Sequence, residues 1–338
     1  MKKWLPVLAG SFLAAPLLAA RPVSRPAHPL SPAVITRPVR LVGVAARRRA
    51  AVPSPQIAVG LEQNLAVVGR LVGGDGVLYS TAVDVQNNTP NSTEVDFYFN
   101  GTAGAIPIAV QGTIQNLPSG LLAGYSDAHY DDFIDALARA DCGGIPCITQ
   151  GEEAAGVMGS MLLVYNGFNT QNPGEGVATA RFYRTVGSDA CALAGGTIGV
   201  AAISQWINGN NPLQVSALFR DTRGQSNTPQ LYPNMFINNM GVDNFGFDTL
   251  DTDVVELTAY ANSNGAQVGV PSSITIGAGQ TAVVSDVLNA LQVPTSEDSI
   301  IVFAVVTSGS AALDGLAVEV DNTTRDGSAV KLYAAEFY

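Results

Sequence analysis

The chain has few of the residues on which most catalytic mechanisms depend. Among 338 residues there are two histidines, and only His129 lies beyond the basic N-terminal segment. No G-x-S-x-G motif supplies a nucleophile for His129 to activate, which argues against a Ser-His-Asp or Cys-His mechanism. We therefore predict that the protein is not an enzyme and that His129 is a solvated residue of a helix.

Positive charge is scarce as well. Residues 1–55 hold nine of the 17 Lys and Arg and none of the 28 Asp and Glu, so the rest of the chain has a formal net charge of −20. A surface this acidic repels phosphate backbones and anionic lipids. We therefore predict no nucleic-acid partner.

Long apolar runs are missing beyond the N-terminus. Residues 1–20 have the parts of a secretory signal peptide, with Lys2 and Lys3 before an apolar stretch and Ala19 and Ala20 at its end. No later stretch reaches the ~18 apolar residues of a spanning helix, so we predict no membrane span after signal cleavage. The expected location is secreted, extracellular or at the cell surface.

Residues 21–58 are rich in proline and arginine and include the run Arg47-Arg48-Arg49. Such a segment cannot bury enough apolar surface to fold, so we predict a disordered leader. Trimming of the leader at the arginine run by an extracellular protease is a sharper hypothesis for the same segment.

Cysteine occurs three times, which excludes a dense disulfide framework. Cys142 and Cys147 enclose two glycines and a proline, and this spacing suits a small loop closed by a disulfide in an oxidising compartment. Pairing of Cys191 with either of them is the alternative that the sequence leaves open. Zinc binding is disfavoured because there is no second cluster of ligands.

What the chain does have is an internal repeat. Residues 77–86 and 93–99 alternate between apolar and polar, as half-buried strands do, and the asparagine-rich segment 87–91 between them predicts an antiparallel hairpin. Residues 230–260 repeat this pattern with a longer turn.

A short helix and two apolar strands follow in both copies. Residues 126–137 have apolar side chains at helical spacing behind Ser126 and Asp127, and residues 284–291 give a shorter counterpart. The apolar strands are predicted at residues 161–165 and 177–183, and at 300–306 and 316–320. The first copy also has an insertion with Cys142 and Cys147, and neither the insertion nor the segment around Trp206 has a counterpart in the second copy.

The order of a strand ending in Asn, a second alternating strand, an Asp-led helix at 130–137 and a last strand closing as Val320-Asp321-Asn322-Thr323-Thr324-Arg325-Asp326 resembles a tandem β-sandwich module of uncharacterised secreted bacterial proteins. The resemblance covers most of residues 66–338. It implies an all-β fold of two tandem immunoglobulin-like β-sandwich domains, each with a short helix, after the disordered leader. We place these domains at residues 59–203 and 204–338.

Acidic residues give two candidate calcium sites, because hard cations prefer carboxylate and carbonyl oxygens. Asp127, Asp131 and Asp132 form the first group, and Asp321, Asn322 and Asp326 form the second. Helix capping and turn formation explain the same residues without a metal. No other cofactor is predicted.

Trp206 is the one tryptophan beyond the signal peptide and precedes an amide-rich segment, residues 207–211. An exposed aromatic side chain beside amides is a candidate glycan-binding group. The alternative is an interdomain plug, because large aromatic side chains are more often packed than exposed.

These observations predict a non-catalytic protein with a binding, adhesion or structural role. Its expected partner is a protein or a glycan at the cell surface, and self-association through sheet edges is a further option. One alternative is a secreted hydrolase that uses acidic loop residues such as Asp131, Asp132, Glu152 and Glu153. Another is an outer-membrane barrel, although residues 300–306 are apolar on both faces, unlike a lipid-facing strand.

Overall fold

The computed structural model describes residues 42–44, 62–72, 78–114, 121–142, 144–166, 176–185, 200–203, 205–207, 210–225, 230–321 and 327–334. The predicted signal peptide, nearly all of the predicted leader and Cys191 lie outside these ranges. All of the described residues belong to one compact unit.

The described residues are mostly in β-strands, with three short helices, which confirms the predicted all-β class. Its strands are β1 (Val42–Val44), β2 (Glu62–Val72), β3 (Leu78–Asn87), β4 (Glu94–Ala103), β5 (Ile106–Ile114), β6 (Ser126–Tyr130), β7 (Val157–Asn166), β8 (Gly176–Thr185), β9 (Val200–Ile203), β10 (Gln205–Trp206), β11 (Gln214–Arg220), β12 (Leu231–Asp243), β13 (Asp253–Ala261), β14 (Gln267–Ile276), β15 (Thr281–Val284), β16 (Ser299–Ser308), β17 (Ala311–Asp321), β18 (Gly327–Lys331) and β19 (Tyr333–Ala334). Its helices are α1 (Phe133–Arg139), α2 (Gln150–Ala155) and α3 (Val287–Ala290). None of these helices has the length and apolar character needed to cross a membrane.

Strands β2 to β10 form what we call the first unit. One layer has the order β5-β4-β7-β2, with β10 also paired to β2, and the other has β3 between β6 and β8, with β9 beyond β8. The end of β2 also pairs with β3 through Arg70–Val72, so both layers belong to one ten-stranded sheet that includes β1. The side chains between the layers form the first core, for example Phe97 and Leu163 from one layer and Val83 and Ala178 from the other.

Strands β11 to β19 form the second unit and repeat this pairing. Their sheets have the orders β14-β13-β16-β11-β19 and β15-β12-β17-β18, which match the two layers of the first unit strand for strand. The shorter β11 ends at Arg220 and does not reach β12, so the two sheets stay separate. The predicted domain boundary at residues 203 and 204 stays a prediction.

The repeated pairing corrects one interpretation of the sequence. β10, which contains Trp206, pairs with β2 as β19 pairs with β11, so the Trp206 segment does have a counterpart in the second unit. Among the described elements, helix α2 and the adjoining cysteine loop are the addition that only the first unit has.

The predicted hairpin of β3 and β4 is wrong, because these strands lie in different layers. β3 pairs with β2, β6 and β8, whereas β4 pairs with β5 and β7. The buried side chain of Asn87 holds the crossing between the layers, since its Nδ2 donates to the carbonyl oxygens of Asn91, Leu122 and Ala123. Its Oδ1 accepts from the backbone N–H of Thr89.

Asn239 has the same structural role in the second unit. It is fully buried, its Nδ2 donates to the carbonyl oxygens of Asp251 and Ile276, and its Oδ1 accepts from the N–H of Gly241. The amide thus satisfies backbone groups that no strand partner reaches. Asn87 at the end of β3 and Asn239 within β12 therefore lie near a change of layer, and β12 does not pair with β13.

The predicted helix at residues 126–137 begins later than expected. Ser126–Tyr130 is strand β6, in which Ala128 and Tyr130 are buried and Asp127 and His129 are exposed. The helix starts after Asp132, whose side chain accepts from the N–H of Asp135. His129 is consequently on a strand, not on a helix.

The two units pack against each other through a third apolar cluster. Ala66, Val67 and Phe182 of the first unit contact Phe236, Leu316 and Val318 of the second. Beside this cluster, Nδ2 of Asn64 donates to Oδ1 of Asn238 and to Oδ2 of Asp314, each at 3.0 Å. The contact between the units therefore joins an apolar centre to a buried polar network.

Candidate functional site

Of the three aspartates of the first predicted calcium site, Asp131 and Asp132 lie at the corner between β6 and α1, whereas Asp127 lies near the start of β6. Asp131 contacts Nε2 of His129 at 2.9 Å, and Nδ1 of the same ring contacts Asp84 at 2.5 Å. Asp132 caps α1 and pairs with Arg70. Asp127 is exposed on β6.

The charges at this corner are paired. Burial lowers the pKa of His129, but its hydrogen bonds to Asp84 and Asp131 outweigh burial, so the pKa is raised. Arg70 contacts both Asp132 and Oε1 of Glu153, the latter at 2.9 Å. These pairs give the corner a structural role.

No group of three or more His, Cys, Asp or Glu side chains is arranged to hold a metal ion within the described ranges. Calcium at Asp127, Asp131 and Asp132 stays a prediction. Of the second group, Asp321 ends β17, whereas Asn322 and Asp326 lie outside the described residues.

The cysteine loop lies between α1 and α2. The sulfur atoms of Cys142 and Cys147 form a disulfide, and both residues are buried in the first core. Thr149 and Glu152 then form a capping box that starts α2, with the Glu152 carboxylate on the Thr149 N–H at 2.9 Å. Ile145 is left exposed at the tip of the loop.

Two cavities lie side by side next to this loop, and we call them together the junction groove. The larger, of about 410 Å³, lies between the β4–β5 hairpin, the cysteine loop and residues 278 and 280 of the second unit. The smaller, of about 50 Å³, extends past Tyr98 to Asp248. Both cavities are lined by Asn100 and Ala278, so they are adjacent sections of one groove.

Strand alternation explains which side chains face the groove. Phe97 and Phe99 point into the first core, so Tyr98 and Asn100 lie on the outer face of the same strand. Gly279 of the second unit, at a φ of 70°, approaches Asn100 so closely that a Cβ would lie 2.7 Å from the Asn100 Nδ2. Ser160 Oγ donates to the Gly279 carbonyl at 2.7 Å and fixes this approach.

The narrow end of the groove is acidic. Burial, and next the nearby charge of Asp248, raises the pKa of Glu62 to about 7. Burial, Asp96 and Glu62 together raise the pKa of Tyr98. The phenol of Tyr98 lines this end of the groove and can donate a hydrogen bond to a ligand.

The wide end of the groove has an apolar rim over polar walls. Ile106 and Ile145, which are 60% and 56% exposed, both line this cavity, while Asn100, Thr149 and Gln280 supply amide and hydroxyl groups. This combination suits a ligand that carries both apolar groups and hydrogen-bonding groups.

The sequence indicates part of this site. It points to the cysteine loop, but not to Tyr98, Asn100, Gln280 or Asp248 as groove residues. The alternation around Tyr98 places that residue on the face opposite Phe97. The residues of the second unit that line the groove beside this face lie far along the chain. A local sequence pattern therefore could not identify the groove.

Trp206 lies near the narrow end of the groove. Its backbone pairs with Gln63, and the next residue, Ile207, donates its N–H to the carbonyl oxygen of Glu62 at 3.0 Å. The position of the Trp206 side chain lies outside the described part of the structure, so its glycan-binding role stays a prediction.

No family model matches the chain, and no curated protein matches it. Among solved structures, the apo form of a lectin from Pleurotus ostreatus aligns with 88% of this chain and 82% of its own at 11% identity, with a TM-score of 0.14. A score this low carries no argument about fold or ligand. The fold and the site define the chain as an all-β protein of two units with the same strand order and a groove where they meet.

Proposed function

We propose that the protein is secreted or held at the cell surface, consists of two tandem immunoglobulin-like β-sandwich domains, and binds a partner there without catalysis. The repeated strand order supports the tandem arrangement. The predicted signal peptide and the disulfide are in keeping with an oxidising, extracellular location.

The junction groove is the single observation that carries the binding role. The cysteine loop and α2, which only the first unit has, form one wall of it, and the second unit forms the other. The second unit completes its own core without such an addition. We infer that the addition shapes a surface for a partner, either a protein or a glycan.

The engagement of the candidate catalytic groups supports the non-catalytic part of the proposal. Both ring nitrogens of His129 contact carboxylates, and Arg70 holds Asp132 and Glu153. The remaining carboxylate of the hydrolase alternative, Glu152, caps α2. A general acid or base needs a free path to a substrate proton, and these groups are already committed.

Site-specific cross-linking on intact cells tests the proposal. A photoreactive phenylalanine analogue replaces Ile145 at the groove rim, and in a matched control it replaces Leu218, which is 60% exposed on the second unit. We expect a cross-linked partner from position 145 and none from position 218. Equal products from both positions, or none from 145, would contradict the proposal.

A further inference from the structure

A third cavity lies on the apolar side of the contact between the units, and none of its lining residues lines the junction groove. It has a volume of about 620 Å³, and we call it the apolar cavity. The first unit lines it with the end of β2, Tyr79, Phe182 and the end of α2, and the second unit with Phe236 and parts of β15 and β17. Its volume lies within the ~300–1,000 Å³ that small-molecule sites commonly have.

Aromatic rings form the floor of this cavity. The rings of Tyr79 and Phe182 stack with centroids 5.8 Å apart, and Phe182 meets Phe236 edge-on at 6.3 Å. Phe182 and Phe236 also belong to the cluster that joins the units, so the floor is held by packing beneath it. A rigid aromatic floor loses little conformational entropy when a ligand binds.

The rim of the cavity leaves apolar side chains in water. Val72 is 61% exposed and Val283 is 44% exposed, and they belong to different units. Exposed apolar residues that gather around one concavity mark a binding surface, whereas isolated ones need no explanation. A ligand seated between them would remove both from water.

The lining carries no charge. None of the described residues that line the cavity is Asp, Glu, Lys, Arg or His, although the chain beyond residue 55 has a formal net charge of −20. The polar side chains of the lining are neutral, and those at the second-unit side are Asn234 and Ser285. A charged group placed here would lose hydration without gaining a partner of opposite charge.

From these observations we propose that the apolar cavity binds an uncharged apolar small molecule with a neutral hydrogen-bonding group, such as an alcohol of a neutral lipid. The aromatic floor and the valines at the rim cover its apolar body. The neutral polar groups at the edge take its hydroxyl or carbonyl. This site is separate from the partner site proposed for the junction groove.

A fluorescence titration of the full chain with the neutral dye Nile red tests the proposal. We expect saturable binding at one site per chain. Val72→Asp and Val283→Asp each place a charge at the rim and should weaken binding at least tenfold. Both residues are already exposed, so these substitutions should leave the far-ultraviolet circular dichroism spectrum unchanged.

Val330→Asp is the matched control, because Val330 is 49% exposed on β18 and does not line the cavity. We expect it to bind the dye as the unaltered chain does. Hexadecanol should displace the dye at concentrations at which palmitate, which bears a carboxylate, does not. Unsaturable binding, equal losses in all three variants, or equal displacement by palmitate would overturn the proposal.

Discussion

Asn87 and Asn239 show how single residues set the path of this chain. Each is buried, Asn87 as the last residue of β3 and Asn239 within β12, and each uses its amide to satisfy backbone groups near the place where the chain leaves one layer for the other. The sequence indicated a turn at both places. It could not indicate the amide's partners, because Leu122 lies 35 residues from Asn87 and Ile276 lies 37 residues from Asn239.

Replacement of Asn87 or Asn239 by alanine should destabilise the protein by about 2–4 kcal/mol, because several buried carbonyl and N–H groups lose their partner at once. Asn88 is exposed and next in sequence, so Asn88→Ala is the control and should change stability little. Urea denaturation measures both effects. Similar midpoints for Asn87→Ala and Asn88→Ala would show that the amide is dispensable.

Glu62 makes stability depend on pH. Its pKa is 4.5 for the free side chain and about 7 in the folded protein, where burial is the main cause of the rise. The folded state therefore holds the proton more tightly, and stability is greatest below the free value and is lost as pH rises through about 7. The loss should be roughly 3 kcal/mol when complete.

Glu62→Gln should remove this part of the pH dependence, so that the variant is more stable than the unaltered chain at pH 8 and close to it at pH 4. Exposed Glu94, replaced in the same way, is the control. Melting temperatures across this pH range provide the measurement. Parallel curves for the Glu62 variant and the unaltered chain would contradict the pKa assigned to Glu62.

The helix predicted at residues 126–137 is correct in its second half and wrong in its first. Helical spacing correctly predicts a helix from Phe133 onward, but the predicted helix starts at residue 126, within strand β6. Residues 126–130 pair with β3 from Val83 to Asn87, and that strand partner lies about 40 residues earlier in the chain. A distant partner decided the structure of this segment, as often happens with short segments of mixed pattern.

The Asp132 side chain caps α1 and pairs with Arg70 of β2, so its replacement should remove both stabilising contacts. Asp132→Ala removes the cap and the ion pair with Arg70, and we expect a loss of about 1–3 kcal/mol. Asp132→Asn keeps a capping oxygen and should cost less. Chemical denaturation measures the free energy of unfolding of the two variants. An equal loss in both would show that the cap contributes nothing to stability.

The docking of the units depends on which face of each unit is apolar. The outer face of β12 and β17 carries Phe236, Leu316 and Val318, whereas the corresponding positions on β3 and β8 carry Asp84, Thr179 and Arg181. Because of this difference, the outer face of β12 and β17 packs against the first unit, whereas the outer face of β3 and β8 is polar. Residues that face the core alternate with outward-facing residues along the strands of both units. This alternation predicts strands in each case, but it does not predict the contact between the units.

A charge in this contact should separate the unfolding of the two units. Leu316 is 3% exposed and faces the first unit, outside the core of its own unit. We expect Leu316→Asp to give two thermal transitions in calorimetry where the unaltered chain gives one, because each unit keeps a core of its own. Val330→Asp on neighbouring β18 should keep the single transition, and a single transition in Leu316→Asp would argue against independent units.

We propose that the junction groove binds a partner at the cell surface. The most direct measurement is saturation binding of the labelled mature chain to the cells that produce it, with Ile145→Asp at the groove rim compared with Leu218→Asp on the second unit. We expect saturable binding that Ile145→Asp weakens at least tenfold and that Leu218→Asp leaves unchanged. Absence of saturable binding, or equal binding by both variants, would contradict it.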